Sequence, residues 1–119
     1  MSTKANHIKQ YYENKKLLSE PIFQPSATEY GDWIVTIAFY CAVHLIEKAL
    51  AQSPGRLHSP HHFGRFENIR KVRTLNKVAA DYQTLYIQSI RSRYKCHNFG
   101  ADDIMGVLDC LTAIEAEIA

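Results

Sequence analysis

A chain of 119 residues is long enough for one domain with a real core and too short for two, so a single domain covering 1–119 is expected. Its 46% hydrophobic and 22% charged residues, with only five Gly and four Pro, are those of an ordinary globular protein and exclude extensive disorder beyond the ends. The net charge of +2 hides an asymmetry. Between Arg56 and His97 nine Lys or Arg face only Glu67 and Asp81, which gives that segment about +7 and leaves about −5 for the rest. Asp102, Asp103, Asp109, Glu115 and Glu117 crowd a C-terminal stretch without a basic residue. The opening MSTKANHIKQ lacks the apolar centre of a secretion leader, and the apolar run from Trp33 to Ile46 is interrupted by Thr36 and His44 and is short for a bilayer span. A cytoplasmic protein with no membrane partner is expected. Three cysteines, Cys41, Cys96 and Cys110, are an odd count without close pairing, which suits reduced thiols rather than a disulfide scaffold.

Five helices and no strand fit the pattern. The first runs from about Thr3 to Leu18, with Thr3 as cap and Ile8, Tyr11, Tyr12 and Leu18 near one face. Pro21 and Pro25 break it. Ser26 and Glu29 stand at capping-box spacing, so a second helix is expected from there to about Gln52. Apolar residues surround this helix from Trp33 to Ile46, so it must be covered on most sides and sit centrally in a bundle with its core over about 26–118. Ser53, Pro54 and Gly55 end it. Ser59, with Pro60 in the first helical position, starts a third helix to about Val72. Its residues Arg65, Arg70, Lys71 and Arg73, with Lys77 beyond, read either as a patch that attracts phosphate or as a solvated helix face. Leu75, Val78, Ala79, Tyr82, Leu85, Tyr86 and Ser89 recur at three and four, the stripe of a fourth helix ending near Tyr94, with Arg93 on its extension. Asn98, Phe99 and Gly100 turn the chain into a last helix with an apolar face at Ile104, Val107, Leu108, Leu111, Ile114 and Ile118, and with Asp102 and Asp103 at its positive end. The fold class is all-α, an up-and-down bundle of four to five helices.

The runs DWIVTIAFYCAVHLIEKALA, HSPHHFGR and LYIQSIRSRY followed by CHNFGADD resemble bacterial and archaeal HEPN domains, over roughly residues 30–118. That resemblance implies a small helical bundle, often a homodimer. It also implies a metal-independent endoribonuclease of the toxin or defence type, built on an Arg and a His separated by four to six residues. Arg91 and His97 have five between them. Ser92 stands where many catalytic members carry Asn, Asp or His, and members without the full motif are binding modules for RNA, a nucleotide or a partner protein. The partners so implied are RNA and an antitoxin or nucleotidyltransferase protein, with no cofactor.

The chemistry of the motif follows from its side chains. Cleavage of RNA through its 2′-hydroxyl needs a proton shuttle near neutral pH and a cation for the charge developing on phosphate. His97 suits the first task and the guanidinium of Arg91 the second. On a continuous helix, Arg91 and His97 lie about 120° apart, whereas Arg93 and His97 share a face. Which arginine His97 meets stays open at this level. As a structural alternative, Arg91 and Arg93 oppose the helix dipole or pair with Asp102 or Asp103. Around the motif, Arg93, Tyr94 and Lys95, with Arg70 and Arg73 of the third helix, are candidate nucleic-acid contacts. Tyr94 would stack on bases, while Tyr82 and Tyr86 belong to the core stripe. His58, His61 and His62 stand close together, but no Cys or carboxylate completes a metal set. His44 reads as a core histidine bonded to a neighbour, and Cys96, between Lys95 and His97, has a reactive neighbourhood but no oriented base.

Overall fold

The structure is a computed structural model that describes residues 3–24, 29–57, 59, 61–95 and 97–119. Helix α1, Lys4–Leu18, opens as expected: the Thr3 hydroxyl accepts a hydrogen bond from the Asn6 amide at 3.1 Å, satisfying one of the free donors of the first turn. The inward stripe differs from the expected one. His7 and Tyr11 are buried while Tyr12 is 65% exposed, because His7, Tyr11, Lys15 and Leu18 are the residues that share a face at spacings of three and four. Tyr11 and Lys15 both bind the Glu115 carboxylate, the lysine at 2.8 and 3.0 Å, which ties α1 to the last helix.

After a 3₁₀ turn at Pro21–Phe23, helix α2 spans Gly31–Gln52. The capping box at Ser26 lies outside the described residues, and the helix begins five residues later than that signal, with Asp32 in its first turn. Ile34, Val35, Ala38, Cys41, Ala42, Ile46 and Leu50 are fully buried. Each large apolar side chain among them contributes about 1.5–3 kcal/mol by leaving water. Helix α2 packs on α1 and on the three helices that follow it, so it is the central element of the bundle. Its cover is incomplete at two places, Trp33 (57% exposed) and Tyr40 (38%). The helix has 22 residues and an 18-residue stretch of it reaches a mean hydropathy of 1.6, long and apolar enough to cross a membrane by length and composition only. Most of that stretch is buried inside the bundle, as a core helix requires.

Helix α3, His62–Lys71, starts later than the Ser59 and Pro60 signal, and Pro60 lies outside the described residues. Its cap is His61, whose Nδ1 accepts from the Gly64 amide at 3.1 Å. A 3₁₀ turn at Asn76–Val78 runs directly into α4, Ala79–Tyr94, which buries Tyr82, Leu85 and Ser89. Helix α5, Ala101–Ile118, buries Ile104, Val107, Leu111 and Ile114, and Asp103 accepts from the Gly100 amide at 3.1 Å to close its first turn. Helices α4 and α5 pack on each other and on α2, and no strand occurs among the described residues. The result is an all-α helical bundle. Gly31 sets one detail that matters for the site: a Cβ there would come within 2.9 Å of Ile104 and 3.4 Å of Phe99. A side chain there would push the Ile104 side chain aside and touch Phe99, so the bare backbone lets α5 and the 97–100 turn sit closely against the start of α2.

Candidate nucleic-acid interface

The end of α4 presents two different environments. On one side, His97 is exposed, with its ring edge-on to Phe99 at 4.7 Å, and lines an open cleft of about 530 Å³ with Glu29, Asp32, Ser92 and Asn98. Arg91 is exposed and lines neither this cleft nor the one on the other side. Ser92 is structural. Its hydroxyl lies 2.8 Å from the Thr36 hydroxyl of α2 and donates to the Ser89 carbonyl at 2.8 Å, which fastens the last turn of α4 to the central helix. Asp102 and Asp103 make no ion pair with Arg91 or Arg93, so of the structural alternative only the helix-dipole part stands: both arginines lie in the last turn of α4. None of the cations Arg91, Arg93 and Lys95 is neutralised by a carboxylate among the described residues.

On the other side, Arg93 turns back onto the helix axis. Its Nε donates to the Ser89 carbonyl and its Nη2 to the Ser89 hydroxyl, both at 3.2 Å, and Nη1 donates to the Tyr40 hydroxyl at 3.3 Å. The guanidinium carbon lies 5.1, 5.6 and 5.8 Å from the ring centres of Tyr94, Phe39 and Tyr40, within cation–π range of all three. This guanidinium lines a cleft of about 400 Å³ between α2, α3 and α4, walled by Tyr40, Tyr86, Tyr94, His61, His62 and Arg65. Arg93 and His97, four apart in sequence, therefore open onto different clefts, because the helix ends at Tyr94 before reaching His97. Arg70 is exposed on the last turn of α3, and Arg73 lines a third cleft beside Ser53, Pro54 and Leu57, so the basic residues of that segment are not drawn into one patch.

Beneath the Arg93 cleft lies a polar network that the sequence reading did not single out. Arg65, expected either in a phosphate-attracting patch or on a solvated face, has a side chain only 13% exposed; its Nε donates to Glu47 at 2.8 Å and its Nη1 to the Tyr82 hydroxyl at 3.3 Å. His62 Nδ1 lies 2.7 Å from the same hydroxyl, and its ring stacks on Tyr86 with centres 3.2 Å apart and planes 4° from parallel. The signal that could have found it is Glu47, a carboxylate among the apolar residues in the second half of α2, with an arginine and a histidine three apart on the next helix. Burial, reinforced by Arg65 and His61, lowers the His62 pKa to about 4. Burial also lowers that of His44, whose Nδ1 lies 3.0 Å from His7 Nδ1 as a core histidine bonded to a neighbour.

A pH dependence follows. The unfolded chain protonates His62 near its ordinary value of 6.5, and the folded chain only near 4. Its contribution to stability is whole above 6.5 and is lost as pH falls from there to 4, since the unfolded state then binds the extra proton. Melting temperature measured from pH 7.5 to 4.5 should fall less steeply for His62→Gln than for wild type. Equal slopes would show that His62 does not titrate with folding.

Among the described residues no three His, Cys, Asp or Glu side chains are placed to hold a metal ion, and His58 lies outside them. Cys41 and Cys110 are free thiols whose pKa values burial raises, that of Cys41 to about 12, and Cys96 lies outside the described residues. Compared with protein-family models, with curated proteins and with solved structures, the chain matches none.

Proposed function

We propose that this chain is a HEPN-like domain that binds single-stranded RNA at the C-terminal end of α4. The observation that carries the reading is the stretch from Arg91 to His97. Three cations without a carboxylate partner stand there beside an exposed tyrosine and an exposed imidazole, at the junction of two clefts. Unneutralised guanidinium and ammonium groups attract phosphate and release its counterions, and an aromatic face accepts any base. Binding of a labelled 12-nucleotide single-stranded RNA, followed by fluorescence polarisation over 50–300 mM salt, tests it. Three phosphate contacts on a single strand predict that log K falls against log salt with a slope near −2. Failure to retain RNA at 50 mM salt would overturn the reading.

A second reading, metal-independent RNA cleavage through Arg91 and His97, is favoured by the solvent-reachable imidazole on its own cleft and the equally exposed arginine. In that reading His97 takes the proton of the 2′-hydroxyl as it attacks phosphorus, the bond from phosphorus to the 5′-oxygen breaks to leave a 2′,3′-cyclic phosphate, the imidazolium returns the proton to the departing 5′-oxygen, and the guanidinium of Arg91 holds the charged oxygens. The two would meet across a homodimer. An antitoxin or nucleotidyltransferase partner, and a cytoplasmic location, belong to the same reading.

A further inference from the structure

The guanidinium of Arg93 is held in a fixed orientation at the wall of its cleft. Of its five N–H donors, three are held by Ser89 and Tyr40, and these bonds fix the guanidinium at the cleft wall. Aromatic rings approach it from Phe39, Tyr40 and Tyr94, so its position is set by packing as well. Two N–H groups, one on each Nη, remain for a ligand. Pre-organisation of this kind removes much of the ordering cost that a free surface arginine incurs on binding.

The charge around it selects the ligand. Arg65 also lines the cleft but is cancelled by Glu47 at 2.8 Å, and no carboxylate lies in the lining. The permanent charge left facing the cleft is the single one of Arg93. That matches one phosphodiester and falls short of a di- or triphosphate. The remaining wall is aromatic, with Tyr94 67% exposed and Tyr40 38% exposed at the rim, and the volume of about 400 Å³ falls within the range of small-ligand sites. A lone sulfate or an acidic peptide would use the cation and leave those rings in water; a nucleotide uses both.

We infer that the α2–α3–α4 cleft is a one-nucleotide subsite, in which Arg93 holds an internal phosphodiester of a single strand and Tyr94 carries the adjoining unpaired base. Tyr40 has a positioning role, since its hydroxyl accepts a hydrogen bond from Nη1 and so aims the guanidinium. The inference rests on the RNA-binding reading and adds the subsite, its stoichiometry of one phosphate, and the base contact.

The test uses the full chain and the same 12-nucleotide RNA, with an oligomer of equal length lacking bases as a second probe. Tyr94→Ala should weaken RNA binding by about 5- to 150-fold, the range of one base–aromatic stack, and leave binding of the abasic strand unchanged. Arg93→Gln should weaken both and reduce the magnitude of the salt slope by about 0.7, one phosphate's share on a single strand. Lys16→Ala, a charge removal on an exposed turn of α1, should do neither. If wild type binds RNA and Tyr94→Ala binds it equally well, the subsite is overturned while the RNA reading stands. If wild type binds no RNA, both fall. Should Arg93→Gln not fold, Tyr94→Ala decides the matter, because a ring this exposed is not needed for the core.

Discussion

Glu47→Ala should destabilise the bundle by about 3–5 kcal/mol, a large fraction of the about 5–15 kcal/mol that holds a domain folded. The Glu47 side chain is 4% exposed and that of Arg65 13%, so the pair is shielded from solvent and cannot be replaced by water. Removing the carboxylate leaves a guanidinium buried with only the Tyr82 hydroxyl, at 3.3 Å, as partner. An arginine cannot shed its proton to relieve this. The whole of α3 is affected, since Ile69 is its only fully buried apolar residue, and the Arg65 and His62 bonds reinforce the partly buried Phe66 and the His62–Tyr86 stack in holding it to the bundle. Thermal unfolding by circular dichroism should fall by about 10–20 °C. The double variant Glu47→Leu with Arg65→Met should recover most of the loss, because replacing both charges by apolar groups removes the unpaired ion. A loss below about 1 kcal/mol for Glu47→Ala would show that the pair is wet and of little consequence.

That network also marks where sequence reading stopped. The helices were legible because their signals are local: Thr3 caps, Pro21 breaks, and the three-and-four stripe through Tyr82 and Leu85 faces the core. Central placement of α2 followed from an apolar surface on nearly every side, and the two gaps at Trp33 and Tyr40 were invisible because they depend on where its neighbours end. Arg65 was misread for the same reason. The other basic residues of its segment, Arg70, Lys71 and Arg73, are exposed, but its partner is Glu47, 18 residues away, and only the α2–α3 packing brings them together. Of the candidate site residues, Arg93 was recognisable as the extension of a buried stripe. Its capture by Ser89 and Tyr40 was not, since the Tyr40 contact spans 53 residues. The relation between His97 and the arginines turned on where α4 stops. It stops at Tyr94, and that single fact sends Arg93 and His97 to separate clefts.

For the cleavage reading, His97→Ala should lower EDTA-resistant RNA hydrolysis by about 10²–10⁴-fold, the usual contribution of a positioned general acid or base. The fold should be untouched, because the ring is exposed and meets only the edge of Phe99 among the described residues. Arg91→Ala should cost activity on a similar scale, with an equally native melting curve, since that side chain is exposed too. Mixing the two inactive variants separates a shared site from one contained in a single chain. If Arg91 of one copy serves His97 of another, a mixed dimer holds one doubly defective site and one intact site, and random exchange restores about a quarter of wild-type activity. If both residues act within one chain, each copy carries one defect and mixing restores nothing. Arg91 lies outside the cleft that His97 lines, which makes restoration the expected result. An unaffected rate in His97→Ala would remove the imidazole from the chemistry and leave α4 with a binding role alone.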